Sequence, residues 1–152
     1  MASTETIGEI ATNGTSKAGL KLIDTDVHNY TSGIHDLLPY LSERWQAYIK
    51  QGGYKTPGVS LYPKVYAQAA RRDAMPSEGG VAGSDPEFAK TQLLDEWGID
   101  YAILNPLIGV PQIKNPDLAV AMMRAVNDWT QNDWLDHDTR WLGAIMAHPE
   151  FP

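Results

Sequence analysis

The stretch Leu20-Lys21-Leu22-Ile23-Asp24-Thr25-Asp26-Val27-His28-Asn29 decides how the chain is read. Its alternation predicts a strand over 20–27 with Ile23, Thr25 and Val27 on one face. Leu22, Asp24, Asp26 and His28 then share the other face, because strand side chains point alternately to either side. Asp26 and His28 leave that face about 6–7 Å apart along the strand. A divalent cation held at about 2.0–2.2 Å from a carboxylate oxygen and an imidazole nitrogen fits between them. The ordinary alternative is a polar strand face that meets water. If the strand is covered on both faces, as parallel strands usually are, three buried polar side chains need a compensating partner. A cation is such a partner, and α/β folds bind ligands at the carboxyl ends of their strands.

Outward from this strand, Leu38, Leu41, Trp45, Tyr48 and Ile49 recur at helical spacing. A helix is expected from about Asp36 to Lys50, closed by Gly52-Gly53. Residues 51–83, broken by Pro57, Pro63 and Pro76 and by several glycines, read as an irregular insertion with a short helix within Tyr62 to Arg72. Long loops of this kind are often functional. Ser84-Asp85-Pro86-Glu87 reads as a helix start, with Ser84 capping, Pro86 in the first turn and Glu87 completing a capping box. Phe88, Leu93, Leu94 and Trp97 form its apolar stripe, and Gly98 ends it. Ile99 to Leu104 is a short strand. Asn115-Pro116-Asp117 opens a further helix that buries Leu118, Met122, Ala125, Val126 and Trp129 and extends to Leu135. Trp141 to Met146 reads as a third strand. Strand, helices, strand, helix, strand is the order of an α/β fold with parallel strands and right-handed crossovers.

The chain has 152 residues, with 12 basic and 19 acidic side chains and a formal net charge of −7. The length predicts about one domain and falls short of the roughly 200 residues of a complete eight-stranded α/β barrel. A hydrophobic content of 43% excludes a disordered chain. No apolar run approaches the ~20 residues of a membrane span. The acidic balance argues against nucleic acid or an anionic membrane as partner, since phosphate recognition needs a basic surface. Without cysteine there is no disulfide framework, thiolate metal site or cysteine nucleophile. Met1 to Gly19 reads as a mobile tail lacking the basic and apolar regions of a signal peptide, so a cytoplasmic location is expected. Asn13-Gly14-Thr15 and Asn29-Tyr30-Thr31 match the glycosylation pattern by chance on that reading. There is no phosphate loop, nucleophile elbow or His-Glu-x-x-His helix.

Four segments carry a more specific signal: Leu22 to Asn29; Asp36-Leu37-Leu38-Pro39-Tyr40-Leu41-Ser42-Glu43-Arg44-Trp45; Leu93 to Asn105; and Ala125-Val126-Asn127-Asp128-Trp129. Together they resemble the N-terminal part of an amidohydrolase-related protein, of the type that includes aminocarboxymuconate semialdehyde decarboxylase and the resorcylate-type decarboxylases. The resemblance covers roughly Leu20 to Met146. It implies a distorted eight-stranded barrel and a single divalent metal, zinc or manganese. In most members the first strand ends in His-x-His. Here Asp26 stands at the first position, where some of the decarboxylases carry a carboxylate, and His28 matches the second. A harder oxygen ligand shifts the preference toward manganese or magnesium. The remaining ligands and catalytic residues of the family are a His on the fifth strand, a His near the sixth and an Asp on the eighth. His35, His137 and His148 do not occupy those positions.

The other candidates each have two readings. His148 follows the third strand and either faces substrate or serves packing, while His35 and His137 read as solvated surface residues. Arg71-Arg72-Asp73 is a surface charge run or, in the insertion, a clamp for a substrate carboxylate. Asn105 approaches a ligand or starts a turn. The five tryptophans read as core.

The expectation is therefore the N-terminal portion of a (β/α)8 TIM-like barrel over 20–152. Asp26 and His28 are its metal ligands and Asp24 is structural, orienting the strand end. Its substrate is a small-molecule carboxylate or carbonyl compound, hydrolysed or decarboxylated. One alternative is a non-catalytic fragment or half-barrel acting only by association with another chain, a homo-oligomer included. Two protein ligands are few for a metal site, and a three-stranded parallel piece leaves edges uncovered. A flavodoxin-like binding domain also fits the alternation, but Asp-Thr-Asp-Val-His would repel a phosphate rather than cradle one.

Overall fold

The computed structural model describes residues 19–55, 70–110 and 113–148. The expected tail lies outside them except for Gly19, as does most of the short helix expected within Tyr62 to Arg72. Three strands, β1 (Ile23–Val27), β2 (Tyr101–Leu104) and β3 (Trp141–Gly143), form one parallel sheet in the order β1-β2-β3. The fold is α/β, with the element order read from the sequence. β1 and β2 begin later than expected and β3 ends earlier. Leu22, for instance, donates its N–H to the Asp100 carboxylate at 2.7 Å and accepts from the Asp100 N–H at 2.9 Å, just before the ladder begins.

β1 is not a regular strand. Ile23 lies opposite Tyr101, Asp24 opposite Ala102 and Val27 opposite Leu104, so three steps on β1 match two on β2. This is a β-bulge. It corrects the strict alternation expected over 20–27: Asp24 and Val27 share the side of Ala102 and Leu104. The Asp24 carboxylate accepts the Asp26 N–H at 3.1 Å, a local bond of the kind that competes with the ladder.

One face of the sheet carries the core. Ala102, Leu104 and Trp141 are buried there against α3 (Pro116–Thr130) and the π-helical turn Gln131–Leu135 that continues it. Asn115 caps α3 by accepting the Leu118 N–H at 3.1 Å, and Pro116 occupies the first turn, which needs no donor. The expected buried side of this helix is observed, joined by Ala119, Met123 and Thr130. Trp129, Trp134 and Trp141 stack edge to face at 6.3 and 5.8 Å between centroids. The opposite sheet face carries Ile23 and Leu142, both exposed.

Two helix starts differ from expectation. Two 3-10 turns, Ile34–Asp36 and Leu38–Tyr40, precede α1 (Glu43–Gly52). Leu41 and Ser42 are extended, so the chain re-enters a helix only at Glu43, and left-handed Gly53 closes it with φ 61°. The cap of α2 (Pro86–Ala89) is Asp85 rather than Ser84. Asp85 accepts the Phe88 N–H at 3.0 Å, whereas Ser84 donates to the Val81 carbonyl. Glu87 turns to Lys90 and His137 instead of completing a capping box. α2 continues as a π-helix, Lys90–Glu96, whose wider turn breaks the helical stripe. Leu94 is buried while Trp97 is 61% exposed, so Trp97 leaves the core expected for it. Among the described residues no helix is long and apolar enough to cross a membrane.

Candidate functional site

The carboxyl end of β1 brings Asp26 and His28 together. Asp26 Oδ1 lies 3.8 Å from His28 Nε2, and both side chains reach solvent. His28 Nδ1 lies 3.2 Å from the Asn105 carbonyl oxygen. A carbonyl only accepts, so this geometry assigns the proton to Nδ1. In the neutral ring the Nε2 lone pair then faces a carboxylate oxygen. Two acceptors that face each other across 3.8 Å leave a place for a shared partner, a water molecule or a metal cation. Metal-binding histidines are held in just this way, with the other ring N–H donated to a carbonyl or carboxylate. Two donors about 2.1 Å from one cation stand about 3.0–3.4 Å apart in octahedral or tetrahedral geometry. The observed spacing of 3.8 Å is wider by about 0.4–0.8 Å, within the reach of two exposed side chains. Among the described residues no group of three His, Cys, Asp or Glu gathers at such a spacing.

Asn105, just past β2, braces this pair. Its N–H donates to the Val27 carbonyl at 2.7 Å. Its side-chain amide donates to the Thr25 carbonyl at 3.1 Å and to Asp26 Oδ1 at 3.2 Å. The sequence left Asn105 open between a ligand contact and a turn; it is a cross-strand clamp. Gly83 presses on the same segment from the insertion. It accepts the Tyr30 N–H at 2.7 Å, and a Cβ there would lie 2.3 Å from the His28 carbonyl oxygen. No sequence pattern marked that approach.

Above β1 lies a cavity of about 460 Å³. Its polar lining includes Asp24, Asp26, His28, Arg71, Asp85 and Gln92, and its apolar wall includes Phe88, Leu93, Leu107 and Trp134. The insertion thus reaches the candidate site. Arg71 is engaged in a two-pronged pair with Asp73, whose carboxyl the guanidinium hydrogen bond holds below the usual range. Gln92 fastens this turn by donating to the Asp73 carbonyl at 2.8 Å.

The other histidines lie elsewhere. His35 pairs with Asp36 and His137 with Glu87 on the surface, as expected. His148 is buried beside Met123, Arg124 and Asn127 in a separate hollow of about 120 Å³, so it serves the α3 side rather than the Asp26–His28 site. Asn29 is fully buried and donates to Thr130 Oγ1, which leaves its glycosylation pattern without an accessible acceptor. No family model and no curated protein matches this chain.

Proposed function

We propose that the chain is the opening part of an amidohydrolase-related, metal-dependent enzyme. In this reading Asp26 and His28 supply two ligands to a divalent cation, zinc or manganese. The substrate is a small carboxylate or carbonyl compound that is hydrolysed or decarboxylated. The observation that carries the reading is the His28 ring, anchored at Nδ1 and turned with Nε2 toward the Asp26 carboxylate.

The sheet supports it. Parallel neighbours in the order β1-β2-β3, with the right-handed crossovers that are the rule for such strands, put their connections on one side of the sheet, as in an α/β barrel. A flavodoxin-like sheet reverses direction around its first strand, giving an order that begins 2-1-3, so that alternative loses ground. The opposite sheet face, open at Ile23 and Leu142, corresponds to a barrel interior that further strands fill. The same open face favours the second reading, in which another chain covers it.

A bound cation would lower the pKa of a water or polarise a substrate oxygen. The chain's own residues bind and orient. Asp26 supplies negative charge, the Asn105 carbonyl fixes the His28 ring, and Phe88, Leu93 and Leu107 shield one side of the cavity from water. Equilibrium dialysis against Mn²⁺ and Zn²⁺ tests the reading. Weak, reversible binding is expected. Asp26→Asn and His28→Ala should each abolish it; binding undiminished in both variants would remove these residues from the site.

A further inference from the structure

We propose that Asn105 is a positioning residue that sets the separation and orientation of the Asp26–His28 pair; this rests on the metal reading of that pair. Asn105 is bonded to both members at once and by different groups. Its backbone carbonyl accepts the His28 Nδ1–H hydrogen bond, with N···O 3.2 Å, and its side-chain amide donates to Asp26 Oδ1 at 3.2 Å. That oxygen is the same one that faces His28 Nε2 at 3.8 Å.

The orientation of the Asn105 amide is set by chemistry. Its nitrogen lies within hydrogen-bond reach of the Thr25 carbonyl, the Ile103 carbonyl and Asp26 Oδ1. All three only accept, so a flipped amide would set oxygen against three oxygens. Aspartate would do the same with added charge, and serine or alanine supplies no NH2 there. The β1 bulge makes the arrangement necessary. Where the ladder is broken between Asp24 and Val27, the Asn105 side-chain amide takes the Thr25 carbonyl, while its N–H donates to the Val27 carbonyl where the register resumes. One residue therefore closes the irregular end of β1 and points its two candidate ligands at a common position. Because the donor is neutral, it holds the carboxylate in place without competing for the cation.

The test separates side chain from backbone. Asn105→Ala removes the amide but keeps the carbonyl that anchors His28. Mn²⁺ binding by wild type, Asn105→Ala, Asp26→Asn and His28→Ala is followed by electron paramagnetic resonance of the free ion. Nitrogen shifts of the His28 ring report its tautomer in the metal-free proteins. Asn105→Ala should weaken Mn²⁺ binding about 10- to 100-fold, with the Nδ1–H tautomer and the thermal unfolding cooperativity retained. Wild-type affinity in Asn105→Ala, with binding lost in Asp26→Asn and His28→Ala, would overturn the positioning role alone. Binding unchanged in all three variants, or no saturable Mn²⁺ binding by the wild type, would overturn the metal reading and this role with it.

Discussion

The candidate site depends on the placement of a few atoms. His28 Nδ1 is committed to a carbonyl, and Nε2 is left facing Asp26. Asp-x-His was legible in the sequence because two-residue spacing on a strand keeps side chains together. The brace was not, since Asn105 lies 77 residues from His28 and no local pattern links them. Gly83 was equally silent. Its φ of +76° and its approach to the His28 carbonyl are tertiary facts. Gly83→Ala should therefore destabilise the chain by about 1–3 kcal/mol, the usual cost of a strained backbone position, before any penalty for moving the segment after β1. Chemical denaturation checks this, and a loss under about 0.5 kcal/mol, typical of neutral surface changes, would contradict it.

At the scale of elements, the helices and strands were legible where burial enforces a period. α3 shows it: its cap, first-turn proline, buried side and continuation to Leu135 all follow from local chemistry. Where a local bond competes with the period, the reading slipped. The Asp24 side chain takes the Asp26 N–H at the β1 bulge, the π turn carries Trp97 out of its stripe, and Asp85 outcompetes Ser84 as cap. Arg140 ties these elements together just before β3. It meets Asp138 through two side-chain bonds of 2.9 and 2.7 Å and reaches Asp95 and the Leu94 carbonyl at the end of the α2 segment. The guanidinium hydrogen bond lowers the Asp138 carboxyl from 3.8 to about 2. A depressed carboxyl stabilises the fold above its unfolded value and loses that contribution as pH falls through the folded value. Asp138→Asn should thus cost about 1 kcal/mol at neutral pH, allowing for solvent screening. The difference from wild type should shrink from about pH 4 downward and vanish only well below about pH 2 in thermal melts. A pH-independent difference would refute the ion pair as its cause.

On the scale of the whole molecule, the sheet is two-sided in chemistry but one-sided in cover. Trp141 faces the helices and is buried; its neighbour Leu142 is 45% exposed, and Ile145 beyond it is 85% exposed. Trp141→Ala should cost about 3–5 kcal/mol, whereas Leu142→Ser should stay within about 0.5 kcal/mol; comparable losses from the two would mean the second face is covered after all. The alternation of strands and helices made the parallel α/β sheet legible from sequence. What covers the open face was not, because strand periodicity marks a buried side without naming its partner. The account rests most heavily on His28 presenting Nε2 to a cation beside Asp26. Nitrogen-15 spectra of the ring during a Zn²⁺ titration test that directly. The account predicts that the Nε2 resonance shifts with Zn²⁺ while Nδ1 stays protonated, and that Asp26→Asn suppresses the shift. An Nε2 resonance that ignores Zn²⁺ would contradict it.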